Sequence, residues 1–529
     1  MRPIAQEIPR DFRRRPWAAF GFLVFAVVAA YEVSGYIVAG DVAGLTYGAL
    51  FCIGGTIVVS ILNNWRSGIY YFLTWLLCED FARKYLGNNM VLYFAKDFLV
   101  LVVFISYIAA WRRKEVKQTF KPPFLIPVLV LVWFGIIQVF NPASTSFAYG
   151  IMGLKMYFLY IPLVFVGYSL LESETGLRRF LFINLALALV IGGLGIAQSI
   201  LGHTFLNPQI PADDLRELST LYRVAPISGA VIYRPTSVFV SDGRFGSYMT
   251  FSWILAFGVG AYLLLRSRKG RLFAACCLGV LTVAVVMSGS RGTLLWTAGS
   301  ALVGVAAFFW GSPWKQSGVL RVMRTLQRTL LFGGFALLCL FLFNPDVLLS
   351  RYAFYWETLS LDSPQSELVY RASDYPMQNF VGAFSYPRWP YGYGIGTASL
   401  GVQYVTRFFH AKPPTKGTEN GYGQLVLELG ILGLVLWIVM SIAVVWSCWK
   451  TVRKLKGSPW FPLAFVIFWY AFLLLFPFTF NGLVSYQNFV QNAYLWLLIG
   501  ILFRLPNIAL SAEFAAVQSA AHAPPRWVR

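Results

Sequence analysis

In GTENGYGQLVLELGILGLVLW (417–437), a carboxylate and an amide, Glu419 and Asn420, head an apolar run that carries a second carboxylate, Glu428, inside it. Upstream, arginines gather in two polar stretches, Arg216, Arg223, Arg234 and Arg244 within 202–244 and Arg351, Arg371, Arg388 and Arg407 within 345–418, while Arg291 stands between them in SGSRGTLL. A guanidinium stays charged at any pH of interest and presents a planar fork of donors that suits phosphate. Collected on one face, such groups could hold a pyrophosphate on a lipid carrier. The competing account pairs each arginine with a nearby acid (Asp213, Asp214, Glu217 or Asp242) or with a lipid headgroup. The second stretch is also rich in aromatics: Tyr352, Tyr355, Trp356, Tyr370, Tyr375, Tyr386, Trp389, Tyr391 and Tyr393. Their faces would stack on sugar rings, so Trp389 and Tyr393 are candidates for a glycan path, against the aromatic belt that membrane proteins show at their interfaces.

The elements that must position these groups are apolar helices. Of 529 residues, 58% are hydrophobic and only 12% charged, about half the charged fraction of a soluble domain. Apolar stretches of about 20 residues, each able to cross ~30 Å of hydrocarbon, recur near 17–39, 42–62, 68–87, 91–111, 123–140, 155–171, 177–201, 245–265, 271–290, 292–311, 329–344, 420–448, 460–480 and 487–504. The chain is therefore expected to be an all-α, polytopic transmembrane protein, a single integral membrane domain over 1–529 with about fourteen spans. A first outer loop, 202–244, and a long outer (periplasmic) loop, 345–418, interrupt the spans. The long loop is expected to carry two short helices before SYPRWPYGYGIGTASLG, the first over 346–360 and the second opened by Ser363-Pro364 with Glu367 in its first turn.

Charge sets the expected orientation. The dense basic clusters WRRKEVK, RSRKGR and KTVRKLK fall on one side of the spans, and that side collects most of the 43 Lys and Arg. Cytoplasmic loops carry such an excess, which puts both termini in the cytoplasm and the two long loops outside. The basic N-terminus leads into a first span without a convincing cleavage site, so that span reads as retained. The net charge of +21 then serves anchoring by anionic membrane lipid. A nucleic-acid partner would need a basic groove on a folded domain, and no such domain is visible. The six cysteines lie in apolar runs as packing residues, without metal-type spacing. Lys96-Asp97 and Glu79-Asp80 are ionisable groups within or beside spans, where charge is costly unless paired or wet. A structural pair between helices is the simpler account, and a polar cavity lining the functional one.

SGSRGTLLW (288–296), PYGYGIGTASLG (390–401) and ENGYGQLVLELGILG (419–433), in this order and separated by a long outer loop, resemble the O-antigen ligase and O-antigen polymerase superfamily of bacterial membrane glycosyltransferases. The family signature is His, then Asn, Ser or Gln, then nine residues and Gly-x-x-Gly; here Asn420 is followed by nine residues and Gly430-Ile-Leu-Gly433, with Glu419 in place of the histidine. A second family pattern, arginine, glycine three residues on and phenylalanine two further, is matched by Arg234, Ser237 and Phe239, with serine for glycine. The motifs cover 220–440; elsewhere the likeness is one of topology.

The resemblance implies an inverting, metal-independent transfer, without a cofactor, of a glycan from undecaprenyl pyrophosphate to a glycan or lipid acceptor at the periplasmic face of the bacterial inner (plasma) membrane. In that reading Arg234 and Arg291 stabilise the departing pyrophosphate, with Arg371 and Arg351 behind them, and Arg244 belongs to the same arginine-rich loop. Glu419, standing where the family has histidine, is the candidate general base, and Asn420 orients it or the sugar. The bland account of Glu419 is an acid in a first helical turn that Thr418 caps; His410 and, after it, His203 are rival bases. Glu428, about 13 Å deeper on the opposite helix face, should pair with a lysine or hydroxyl of a neighbouring helix, and Gly430 and Gly433 should permit close helix approach. A transporter or flippase of lipid-linked sugars is the alternative, but it would show repeated halves and charge near the midplane.

Overall fold

The computed structural model describes residues 24, 27 and 28 and the chain from residue 42 onward. Excepted are 88–89, 117–119, 210–217, 219–220, 268, 314–323, 325–326, 328–330, 336, 340, 361, 364–365, 483–486 and 522–529, and only the backbone is described at 42–51, 90, 407–408 and 513–521. The expected span 17–39 apart from residues 24, 27 and 28, the acids Asp213, Asp214 and Glu217, Arg216 and the Arg407 side chain lie outside the described residues, as does Pro364 of the expected cap.

The chain is an all-α multi-pass membrane protein. Eight helices among the described residues are long and apolar enough to cross a membrane: Val91–Arg112, Phe147–Leu170, Glu174–Leu201, Asp242–Arg266, Arg291–Gly311, Gly421–Lys454, Phe461–Phe480 and Phe489–Ala512. Leu331–Phe343 and Pro345–Leu359, bent by 113°, make a ninth if they count as one span. The expected count of about fourteen is not what they reach, for identifiable reasons. Trp65–Leu86 is helical but carries Arg66, Glu79, Asp80, Arg83 and Lys84, too much charge to pass as apolar. Leu125–Val139, at 15 residues, and Arg271–Met287, at 17, are apolar but short against the ~20 residues a span needs.

The chain forms two compact units, 1–73 with 98–113 and 74–97 with 114–529. In the first, Ser106 Oγ donates to the Ile61 carbonyl at 2.8 Å and Trp65 meets Tyr107 edge to face at 5.1 Å. In the second, the 242–266 helix is buried along most of its length among the 174–201, 271–287, 291–311 and 461–475 helices, and the 489–521 helix packs along 163–170. One small departure from all-α structure interrupts the first long connection: β1 (Tyr222–Val224) pairs antiparallel with β2 (Val231–Tyr233), Tyr222 opposite Tyr233. The second connection holds the first expected short helix, Pro345–Leu359, but the second does not open at 363–367. Glu367 precedes it, its N–H given to the Thr358 carbonyl at 3.1 Å, and the helix runs from 368 through a π turn over Tyr370–Asp374 into Tyr375–Ala383.

The Gly-x-x-Gly signature has a different job from the close helix approach expected of it. Inside the 421–454 helix Gly430 adopts φ 70°, ψ −173°, a region open in practice only to glycine. The helix breaks there, and its freed carbonyls must find other donors. The loop 390–394 supplies them: Tyr393 N–H donates to the Leu427 carbonyl at 2.8 Å and Gly394 N–H to that of Glu428 at 3.0 Å, while Ile431 N–H returns a bond to Pro390 O at 3.2 Å. Two glycine-rich motifs, far apart in sequence, are thus one backbone junction. Glu428 sits in it fully buried, accepting from Tyr157 Oη at 2.7 Å and Ala398 N–H at 2.9 Å, so its partner is a hydroxyl of a neighbouring helix, as anticipated.

Candidate functional site

Three segments bring charge to one place, each held by its own local chemistry. The 242–266 helix starts at Ser241, whose side chain accepts from Arg244 N–H, and the 291–311 helix at Ser290, which accepts from Thr293 N–H. Serine at an N-cap satisfies amides the first turn leaves open, and such helix starts favour anions. The 421–454 helix is capped by Asn420, which accepts from Gly423 N–H at 2.8 Å. Glu419 therefore precedes the cap, with no acid in the first turn. The account of Glu419 as a first-turn acid under a Thr418 cap is thereby corrected, since Thr418 Oγ1 donates instead to the Asn379 carbonyl at 3.0 Å.

A cavity of about 800 Å³ opens among these ends, lined by Arg223, Arg234, Arg291, Arg371, Glu367 and Glu419, together with Tyr375, Trp296, Phe354 and Phe478. Its lining carries four guanidinium groups against two carboxylates. Arg234 Nη1 lies 2.6 Å from Asp242 Oδ2, yet Arg234 Nε is buried without a hydrogen-bond partner. Burial pulls the Arg234 pKa below the usual arginine range against the pull of Asp242, and the neighbouring charges of Arg223 and Arg291 add to the lowering. Arg291 Nη1 lies 3.0 Å from Glu367 Oε2 but its N–H directions miss a hydrogen bond, so charge alone holds that pair. Arg371 Nε meets the same oxygen at 3.3 Å, and its guanidinium lies 4.7 Å from the Tyr375 ring centroid. The Tyr375 hydroxyl donates to Glu419 Oε2. That hydrogen bond, followed by burial, pushes the phenol above its ordinary range.

Arg234, Arg291, Arg371 and Glu419, separated by up to 185 positions, therefore share one cavity. The other expected substrate contacts do not line it. Arg351 is 3% exposed and donates to the carbonyls of Met287 (3.2 Å), Val347 (3.0 Å) and Tyr233 (3.0 Å). It ties the residue before Arg234 to the turn before Arg291. Gly289 completes that turn at φ +64°, where a Cβ would stand 3.2 Å from Arg234 Cγ. Arg244 turns away into a buried ionic cluster, giving Nη1 to both oxygens of Asp80 at 2.9 and 2.7 Å. In that cluster Lys96 pairs with Glu79 at 2.8 Å and Asp97 with Lys155 at 2.5 Å, so the charges near 79–97 are structural partners. Asn420 is fully buried and donates to Pro376 O (3.0 Å) and Phe480 O (2.6 Å), so it positions Glu419 without reaching the cavity. Trp389 packs on Phe384 at 5.2 Å and Tyr393 is buried beside the 427–431 junction. Neither His410 nor His203 lines the cavity; His203 meets the Tyr222 hydroxyl at 3.0 Å.

Two residues of the site, Glu367 and Tyr375, read from sequence only as a first-turn acid and one aromatic among many. Their signal is the spacing Glu367, Arg371, Tyr375, every fourth residue, which sets each next to the following one on a helix surface. Among the described residues no group of three or more His, Cys, Asp or Glu is arranged to hold a metal ion. No family model matches the chain, and no curated protein matches it.

Proposed function

We propose that the protein is a membrane glycosyltransferase of the O-antigen ligase and polymerase type, moving a glycan from a lipid pyrophosphate such as undecaprenyl pyrophosphate to an acceptor hydroxyl at the periplasmic face of a bacterial inner membrane. The observation that carries the reading is the convergence of Arg234, Arg291 and Arg371 with Glu419 on one cavity at the ends of apolar helices. Guanidinium forks suit a pyrophosphate, two of their donors here, Arg234 Nε and Arg291 Nη1, have no hydrogen-bond partner, and a carboxylate across the same space suits a reacting hydroxyl.

The step balances with side chains alone. The acceptor oxygen attacks the anomeric carbon, and its proton passes to the Glu419 carboxylate. The bond from that carbon to the pyrophosphate oxygen breaks, and its electron pair leaves with the pyrophosphate. Arg234 and Arg291 meet the charge that develops there, in positions set before the reaction begins.

Purified full-length protein in vesicles, supplied with lipid-pyrophosphate-linked glycan and acceptor, tests this. Transfer is expected, and Glu419→Gln should lower it by about 10²–10⁴-fold, the usual contribution of a general base. Arg234→Ala and Arg291→Ala should weaken donor use. Full activity in Glu419→Gln removes that residue as base. Movement of the lipid across the vesicle without transfer replaces the enzyme by a transporter.

A further inference from the structure

The charged groups that line the cavity are engaged by the protein's own side chains. Glu367 Oε2 lies between Arg291 (3.0 Å) and Arg371 (3.3 Å), where a phosphoryl oxygen would make the same two contacts. Eight residues on, the Tyr375 hydroxyl donates its proton to Glu419, the bond an acceptor hydroxyl must make before it can lose its own. One segment thus presents a carboxylate to the guanidinium side of the site and a hydroxyl to the carboxylate side.

Its backbone explains how both arrive on one face. In a regular α-helix residue 375 would point about 80° away from residue 367. The π turn at Tyr370–Asp374 is wider, with bonds from i to i+5, and takes up the excess so that positions 367, 371 and 375 all line the cavity. The same segment is lightly held. None of residues 370–374 is buried, and the contact between Arg291 and Glu367 lacks a hydrogen bond. The attachments lie at the segment's ends, where Glu367 N–H donates to Thr358 O at 3.1 Å and Pro376 O accepts from Asn420 at 3.0 Å.

We propose that the 367–375 segment is a built-in occupant of both subsites, Glu367 standing in for the donor's anion and Tyr375 for the acceptor's hydroxyl, and that donor binding displaces the two together. This rests on the function proposed above and adds a coupling to it: Glu419 is released to an acceptor only once a pyrophosphate has taken Glu367's place on Arg291 and Arg371. A pyrophosphate carries more charge and more acceptor oxygens than one carboxylate, so it wins that exchange.

The opposite role for Glu367, holding Arg291 ready for the ligand, makes a prediction of opposite sign. Full-length protein in detergent is titrated by calorimetry with farnesyl pyrophosphate and with inorganic pyrophosphate. Glu367→Gln should bind both ligands at least ~5-fold more tightly than the parent, because a competing state has been removed. Tyr375→Phe loses only a hydroxyl that no pyrophosphate touches, yet should tighten both by ~2-fold or more on the same ground. The double variant should fall short of the product of the two effects, since both act on one segment. If Glu367→Gln fails to fold, Glu367→Ala takes its place.

A parent that binds, with variants that bind equally or more weakly, overturns the inference and leaves the proposed function standing. Tightening in Glu367→Gln alone overturns the coupling, and tightening for the farnesyl ligand alone overturns the displacement of one anion by another. No binding of either ligand by parent or variants overturns the functional reading itself.

Discussion

Arg351 donates from Nη2 to the Tyr233 carbonyl at 3.0 Å, and from Nε to that of Met287 at 3.2 Å. This one buried guanidinium therefore sets the distance between the strand that leads to Arg234 and the turn that leads to Arg291. Arg351→Met should remove the Arg351 bond from the carbonyls of Tyr233 and Met287, of which Met287 keeps Ser199 Oγ at 3.2 Å, at a cost of ~1–3 kcal/mol for an oxygen left without a donor where no water reaches it. The expected result is a clear fall in melting temperature together with weaker donor binding. Arg351→Lys, which keeps the charge but not the fork, should restore only part of either. Melting curves and pyrophosphate titrations on the same preparations check both.

Asn420 separates capping from tethering. Asn420→Asp keeps an oxygen for Gly423 N–H but turns two donated bonds, to Pro376 O and Phe480 O, into repulsive contacts. It should therefore destabilise more than Asn420→Ala, although aspartate is by itself as good a cap as asparagine. The order of melting temperatures, parent above alanine above aspartate, is the expected outcome. The reverse order would mean the cap outweighs the tethers.

Gly430→Ala should be among the most damaging single substitutions in the chain. The added Cβ would stand 2.5 Å from the Pro390 carbonyl oxygen on a backbone at φ +70°, so strain and collision act together, at a cost of ~3 kcal/mol or more. Loss of monodisperse protein on size exclusion is expected. Gly433→Ala, whose Cβ would stand 2.0 Å from the Leu429 Cβ, an atom fixed to the backbone, should also be damaging, through collision without the added strain of a positive φ.

The pH dependence of anion binding reports on Glu367. Partial burial acts to raise its pKa, but the guanidinium groups of Arg291 and then Arg371 outweigh it and hold the carboxyl below the ordinary glutamate range. A carboxylate with a lowered pKa keeps its interaction above that range and loses it as pH falls through the lowered value. The ratio of pyrophosphate affinities between Glu367→Gln and the parent should then stay constant from neutral pH down through the ordinary glutamate range. It should move toward one only in more acid solution. Competition titrations over that range check the sign, and the ligand's own ionisation cancels in the ratio.

How much of this is legible beforehand differs by residue. The helices Arg291–Gly311, Asp242–Arg266 and Glu174–Leu201 fall within three residues of the apolar runs expected at 292–311, 245–265 and 177–201. Chain length in an apolar run is what a span requires, and it is written locally. The span count is less readable, because Trp65–Leu86 is helical yet carries five charges while two apolar helices stop short. Arg234, Arg291 and Glu419 stand out by motif spacing, and they do share a cavity. Arg351 and Arg244 stand out by residue type alone. One goes to backbone carbonyls and the other to Asp80, acceptors that residue type does not distinguish from a ligand.

Where apolar helices form is written locally, because hydrophobic run length acts within a short stretch of chain; which residue caps each start is less so, as Asn420 in place of Thr418 shows. Only the tertiary structure decided which charges face the cavity and which are spent in the interior. That choice depends on partners far along the chain: a carbonyl at Tyr233 for Arg351, a carboxylate at Asp80 for Arg244, and a π turn that swings Glu367 and Tyr375 onto the same groups, Arg291 and Glu419, that the motifs single out.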